Sequence, residues 1–131
     1  MNAKGMFTPA DVREVVENGV AKGFTVDVRI PYYRGVALSL IDDITVKYDN
    51  EVYPADQLTF TTRDGTFTMA EMATMSTLRW EFGEKAQIFV PRLGGFYMAS
   101  HRVEVTIAIS ISYMGGARPS SHAEIVSLSG D

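Results

Sequence analysis

An antiparallel two-sheet β-sandwich with one very short helix is the fold class this sequence predicts, and three observations carry it. Apolar and polar residues alternate with a period of two in several short segments, the repeat of a strand with one face on a core. These segments are separated by Asn18-Gly19, Asp49-Asn50 and Asp64-Gly65, pairs of the kind that close tight hairpins. A helix-start signature occurs at Thr68-Met69-Ala70-Glu71, where Thr68 and Glu71 form a capping box for one or two turns over about 69–74. Such elements bury their apolar faces by stacking sheet on sheet. A small β-barrel is the alternative that the same pattern allows.

The 131 residues suffice for one domain with a real core. The division expected is a sandwich over residues 1–114, then a linker and C-terminal tail or last strand over 115–131. Apolar residues make up 46% and charged residues 21%, an ordinary globular composition rather than a disordered one. A net charge of −4 argues against sequence-independent nucleic-acid binding. With no cysteine, disulfides, thiol chemistry and zinc-thiolate sites are excluded. No apolar run approaches the roughly 18 residues of a membrane span, and the start of the chain lacks a signal peptide's apolar core. The expectation is a soluble cytoplasmic protein.

Taken in order, residues 1–10 read as a loosely held arm. Thr8-Pro9-Ala10-Asp11 has the pattern of a helix start, with Thr8 as cap. Val12, Val15, Val16 and Val20 instead favour an extended segment at 12–17 and a turn at Glu17-Asn18-Gly19. The segment that organises the chain follows, with Phe24, Val26, Val28 and Ile30 on one face and Thr25, Asp27 and Arg29 on the other. Pro31 ends it, having no N–H to donate. Beyond it come Tyr32, Tyr33, Arg34 and Gly35.

Val36 to Ile41 is apolar, Asp42-Asp43 interrupt, and Ile44, Val46 and Tyr48 alternate with Thr45, Lys47 and Asp49. Val52-Tyr53 returns as a short partner, stopped by Pro54. Leu58 and Phe60 alternate with Thr59 and Thr61, and the Asp64-Gly65 turn leads into Thr66-Phe67-Thr68. Met69, Met72 and Met75 sit at helical spacing, as gap-fillers against a sheet rather than a binding surface. Gly83-Glu84 makes a turn, Ala86, Ile88 and Val90 form the next inward face, and Arg92-Leu93-Gly94-Gly95-Phe96 reads as a flexible loop tip. The cleanest alternation is the last, with Val103, Val105, Ile107, Ile109, Ile111 and Tyr113 inward. Gly115 to Ser121 has linker composition. His122 to Asp131 is either a final strand around Ile125-Val126-Ser127-Leu128 or a mobile tail.

Chemistry carried by this chain alone finds little support. There is no phosphate-binding glycine loop and no nucleophile elbow. His101 and His122 lack neighbours at ligand spacing, so no metal site is expected in this chain. Asp42 and Asp43, adjacent on a strand, face opposite ways unless the backbone bulges, and a solvated strand entry is the plainer reading. Glu81 and Glu84 beside Trp80 suggest a sugar-cleaving pair, but Gly83 between them points to a turn. What remains is display: Tyr32, Tyr33, Arg34, Arg79, Trp80, Phe82 and Phe96-Tyr97 at strand ends or loops. Aromatic and arginine groups of this kind are enriched at interfaces and on ring-binding platforms. The bland reading is tyrosines covering a sheet edge and a solvated Arg34.

At these same residues the sequence resembles a known family. Val28-Arg29-Ile30-Pro31-Tyr32-Tyr33-Arg34-Gly35, followed by Leu38-Ser39-Leu40-Ile41-Asp42-Asp43-Ile44, is similar to the small (beta) subunit of bacterial C-glycoside deglycosidases. Leu78-Arg79-Trp80-Glu81-Phe82-Gly83-Glu84, the Pro91 to Gly95 loop and Ile111-Ser112-Tyr113-Met114 match as well, so the resemblance runs from about Phe7 to Met114. It implies a β-sandwich subunit paired with a TIM-barrel alpha subunit related to sugar isomerases and epimerases. It also implies cleavage of the sugar–aglycone carbon–carbon bond in 3-keto glycosides by elimination, with the divalent metal (Mn²⁺) and the acid/base residues in the alpha subunit. No cofactor and no catalytic residue are then expected in this chain. Arg29, Tyr32, Tyr33, Arg34, Arg79, Trp80, Glu81 and Phe82 are expected to contact the alpha subunit near its active-site mouth. The alternative is a stand-alone carbohydrate-binding or scaffold sandwich, and a self-sufficient lyase or glycosidase would need Asp42, Asp43, Glu81 and Glu84 to meet in one pocket.

Overall fold

The computed structural model of the chain describes residues 5–31, 35–93, 100–111 and 116–127. Its strands are β1 (Val12–Glu17), β2 (Val20–Arg29), β3 (Val36–Ala37), β4 (Ile41–Tyr48), β5 (Glu51–Tyr53), β6 (Thr59–Thr62), β7 (Gly65–Thr68), β8 (Arg79–Trp80), β9 (Lys85–Pro91), β10 (Ser100–Ile111) and β11 (Gly116–Ser127), with α1 (Met69–Met72) between β7 and β8. One sheet has the order β1-β2-β9-β6-β7, a second has β11-β10-β4-β5, and β3-β8 form a two-stranded pair. Every pairing is antiparallel. The arrangement is sandwich-like, as the alternation requires.

The core is the set of inward positions of both sheets. Phe24, Val26 and Val28 of β2, Ile88 and Val90 of β9, and Val103, Val105 and Ile107 of β10 are fully buried. Each such side chain contributes roughly 1.5–3 kcal/mol when taken from water. The turns behave as their sequences dictate. Asn18 and Gly19 both take positive φ, 53° and 78°, the mirror-image turn whose twist suits a hairpin. Thr68 caps α1: its hydroxyl accepts from the Glu71 amide at 3.2 Å, and its own amide donates to the Glu71 carboxylate at 2.8 Å. Met72 is fully buried and Met69 and Met75 pack against the core, so the methionines do fill gaps.

Two expectations change, and the aspartate pair meets the bulge that its adjacency allowed for. The loosely held arm is anchored over its described part. Met6 and Phe7 are 5% and 1% exposed, the Met6 carbonyl accepts from the Arg29 amide at 2.8 Å, and Pro9–Asp11 form a single 3-10 turn. The helix-start signature and the extended segment at 12–17 are thus both realised, one after the other. Gly116 to Ser121, of linker composition, is the first half of β11, which pairs with β10 from Gly116↔Ile111 to Ser127↔Ser100. Pro119 is tolerated there because β11 is an edge strand. Finally, the β4 register jumps from Asp43↔Ala108 to Ile41↔Ile109. Asp42 is the extra residue of a bulge, and both aspartates are exposed, the solvated strand entry that was the plainer reading.

A polar network ties the two sheets together. Arg92, assigned above to a flexible loop tip, follows β9 and reaches across to β5. Its guanidinium grips both Glu51 carboxylate oxygens, at 2.9 and 3.1 Å, and lies 4.3 Å over the Tyr48 ring. Tyr48 in turn stacks on His101 at 4.7 Å. The Asp49 carboxylate accepts from the His101 ring at 2.6 Å and from the Arg102 amide at 2.9 Å. The rest of the loop, residues 94–99, lies outside the described residues.

This network makes stability pH-dependent in a defined direction. The bond from His101 holds the Asp49 carboxyl below its ordinary value, and the bond from Arg92 does the same for Glu51. Asp11 is pushed up by burial, but its bonds from Lys85 and Thr8 outweigh that and leave it low. A depressed carboxyl contributes stability above its unfolded pKa of about 4 and loses it as pH falls through the folded value. Tyr53 is raised to about 12 by burial and by its bond to Glu51. Its contribution is complete below about pH 10 and is lost as pH rises toward 12. Thermal melts across pH should therefore show Tm falling on both the acid and the far-alkaline side. In Glu51→Gln the acid slope should be shallower, and an unchanged slope would count against this assignment.

Candidate functional site

Gly35 and Arg79, in the two motifs, lie 44 residues apart along the chain, and the short pair β3-β8 brings them together. Val36 pairs with Trp80 and Ala37 with Arg79. The Arg79 guanidinium donates to the Gly35 carbonyl at 3.0 Å and to the Glu81 carboxylate at 3.2 Å. Gly35 is required at this crossing. A Cβ there would collide with the Glu81 side chain and come within 2.9 Å of the Trp80 carbonyl. Buried Ile30 and close-packed Gly35 thus fix the two ends of the stretch carrying Tyr32, Tyr33 and Arg34, which themselves lie outside the described residues, as do Phe96 and Tyr97.

Trp80 is not a display residue. It is fully buried, packs edge-on against Phe60 at 5.2 Å and 73°, and donates its indole N–H to the Glu84 carbonyl at 2.9 Å. The tryptophan is the root of the turn, not its tip. Around it the Glu81 amide donates to the Glu84 carboxylate and the Glu84 amide to the Glu81 carbonyl, each at 3.1 Å. Gly83 closes the turn with φ of 88°, a conformation that disfavours any side chain. The result is a rigid loop that holds Phe82 outward, 65% exposed, with Arg79 and Glu81 half-exposed beside it.

The turn forms one wall of an open groove of about 720 Å³ over the outer face of the five-stranded sheet. The floor is a row of outward residues in register: Asp27 opposite Gln87, and Gln87 opposite Thr61. Arg63, Lys85, Glu81, Phe82 and Glu84 complete the lining with Thr62 and Gly83. Asp27 is held from two sides, by Arg13 at 2.7 Å and by the Gln87 amide at 3.2 Å. Arg29 sits opposite Lys85 in register, and both cations converge on the buried Asp11, at 3.8 and 2.7 Å. The sequence reading placed Arg29 correctly at the strand end, but it missed Asp27, Gln87, Thr61, Arg63 and Lys85. Their signal was there in the outward phase of each strand. What joins them is cross-strand register, which no single segment encodes.

Chemically the groove offers fixed hydrogen-bonding groups and one exposed ring. Asp42 and Asp43 do not line it; Glu81 and Glu84 do. His101 pairs with Asp49 and His122 with Glu124, each at 2.6 Å. Among the described residues, no group of three or more His, Asp or Glu side chains could hold a metal ion.

The sequence profile of the C-glycoside deglycosidase beta subunit matches residues 3–113, which spans the groove, the turn and both motifs. A C-glycoside deglycosidase beta subunit of Eubacterium cellulosolvens is 33% identical over 74% of this chain and 66% of its own length. The chain thus spans slightly under two thirds of that relative. A C-glycoside deglycosidase beta subunit of Arthrobacter globiformis is 26% identical over 81% of this chain and 76% of its own. A 3'-dehydrocarminate deglycosidase beta subunit from a Microbacterium species is 29% identical over 74% of each. With the profile covering residues 3–113 and a relative 33% identical over 74% of the chain, the chain belongs to the C-glycoside deglycosidase beta-subunit family.

Proposed function

We propose that this chain is the non-catalytic, assisting beta subunit of a heteromeric enzyme that cleaves 3-keto C-glycosides, its partner being a TIM-barrel alpha subunit with a divalent metal, Mn²⁺ by expectation. The family match over residues 3–113 carries the reading. The described residues do not themselves make a fit for the metal, so no step is assigned to it in this chain. The reaction would be an elimination. A ketone acidifies the neighbouring C–H; a base takes that proton, and the freed electron pair becomes a carbon–carbon double bond. The aglycone departs with the electrons of the broken sugar–aglycone bond and is protonated. The groups that move protons belong to the partner in this proposal. The proposed contact surface is Arg29, Tyr32, Tyr33, Arg34, Arg79, Glu81 and Phe82, with Trp80 holding the turn from beneath. A cytoplasmic location goes with the same reading.

Co-expression with the TIM-barrel partner and purification through a tag on this chain test it. Co-purification and Mn²⁺-dependent aglycone release from a 3-keto C-glucoside are expected. Alanine at Tyr33, Arg34 or Phe82 should weaken assembly roughly thirtyfold, about 2 kcal/mol per buried aromatic or arginine anchor. Unchanged assembly and turnover in all three variants would sink the assignment of this surface.

A further inference from the structure

We propose that Arg29 and Lys85 form a paired-cation seat for a carboxylate of the alpha subunit, with the buried Asp11 as its positioning residue. The inference rests on the subunit reading above and adds to it a residue, Lys85, and the chemistry of the group that docks. Two cations meet one carboxylate here. Lys85 Nζ donates to Asp11 Oδ1 at 2.7 Å, and Arg29 Nη1 stands 3.8 Å from Asp11 Oδ2. One positive charge is left over. The carboxylates nearby are matched by other cations: Asp27 by Arg13 at 2.7 Å, Glu81 by Arg79 at 3.2 Å and Glu84 by Arg63 at 4.0 Å. A chain of net charge −4 thus holds a local positive excess, and an acidic group of the partner is what complements it.

The excess faces outward. The Asp11 side chain is 8% exposed, whereas those of Arg29 and Lys85 are 43% and 42% exposed. At 3.8 Å Arg29 forms an ion pair with Asp11 but no hydrogen bond, so Asp11 does not use up the guanidinium fork that suits a carboxylate. Asp11 is itself fixed, because the Thr8 amide and hydroxyl both donate to it, at 2.9 and 3.1 Å. Two long side chains, opposite one another in register, therefore share one rigid anchor. Less freedom is left for them to lose when a second carboxylate arrives. The seat is also continuous with the proposed contact surface. Lys85 directly follows Glu84 of the braced turn, and Arg29 ends β2 just before the stretch that leads to Gly35.

The test uses the co-expressed complex, diluted in roughly 0.05 and 0.5 M NaCl, with dissociation followed by sedimentation. At the lower salt Lys85→Gln should weaken assembly about threefold and Lys85→Glu about tenfold, and both differences should shrink at the higher salt. Asp11→Asn keeps an oxygen for the Thr8 amide but makes the patch more positive. A purely electrostatic surface would then bind more tightly, whereas a positioning role predicts assembly about threefold weaker. In the isolated chain, the Arg29 Nε–H signal of that variant should also lose its distinct NMR position. Lys85→Glu assembly equal to wild type at both salts overturns the proposal, as does a loss that salt leaves unchanged. Tighter assembly of Asp11→Asn overturns the positioning role. Phe82→Ala, measured in parallel, separates the two readings: if it weakens assembly and Lys85→Glu does not, the cation seat fails and the subunit role stands. A wild-type chain that forms no complex sinks the subunit role, and the seat with it.

Discussion

A chain ending at residue 113 is expected to lose its cooperative melting transition and to aggregate. The family match ends at 113, yet the structure continues through β11, which pairs with β10 along its whole length. Without β11, the long central strand β10 becomes an edge, with an open row of N–H and C=O groups that template association. Val126, fully buried in the intact chain, is lost from the core. The half-buried His122 ring, which stands edge-on to Phe7 at 5.1 Å and packs tightly against Gly5, goes with it. The N-terminal arm therefore loses its cover as well. The combined loss is several kcal/mol, comparable to the total stability of a domain, about 5–15 kcal/mol. Far-UV circular dichroism melts of the full and shortened chains decide the point. A shortened chain that melts within about 2 °C of the full one, a shift of under roughly 1 kcal/mol, would show that β11 is an accessory.

Trp80→Ala should produce the largest effect of any single substitution. Emptying a buried aromatic site costs about 3–5 kcal/mol, and the Glu84 carbonyl loses the indole N–H that it accepts at 2.9 Å. For a domain of this size, Tm should fall by roughly 10 to 20 °C. Trp80→Phe keeps most of the ring against Phe60 but removes that bond, and about 1–2 kcal/mol should be lost. The conservative variant is the informative one for function. It leaves the core filled while releasing the brace beneath Phe82, so assembly with the alpha subunit should weaken although the chain still folds. If Trp80→Ala changed Tm by less than about 2 °C, the packing described here would be wrong.

The sequence by itself determined much of the local order: most of the strands, the inward face of each, and the tight turns where the chain reverses. Alternation at Phe24-Val26-Val28 and Val103-Val105-Ile107, the Asn18-Gly19 turn and the Thr68 cap are consequences of neighbouring residues alone, so they were legible. The motif at residues 28–35 and the one at 78–84 also carried the family. Only the tertiary structure decided what covers what. Trp80 beside two charged residues looks like a displayed ring until β3 pairs with β8 and closes the core over it. Gly116 to Ser121 has poor strand chemistry, yet the free edge of β10 supplies a hydrogen-bonding ladder that outweighs propensity. The bulge at Asp42 exists because β4 must match the register of β10, and Arg92 is fixed because Glu51 on the other sheet meets it. The groove has the same origin. Asp27, Gln87 and Thr61 are spread over three strands, and registry between strands is a long-range property that periodicity within one strand cannot express.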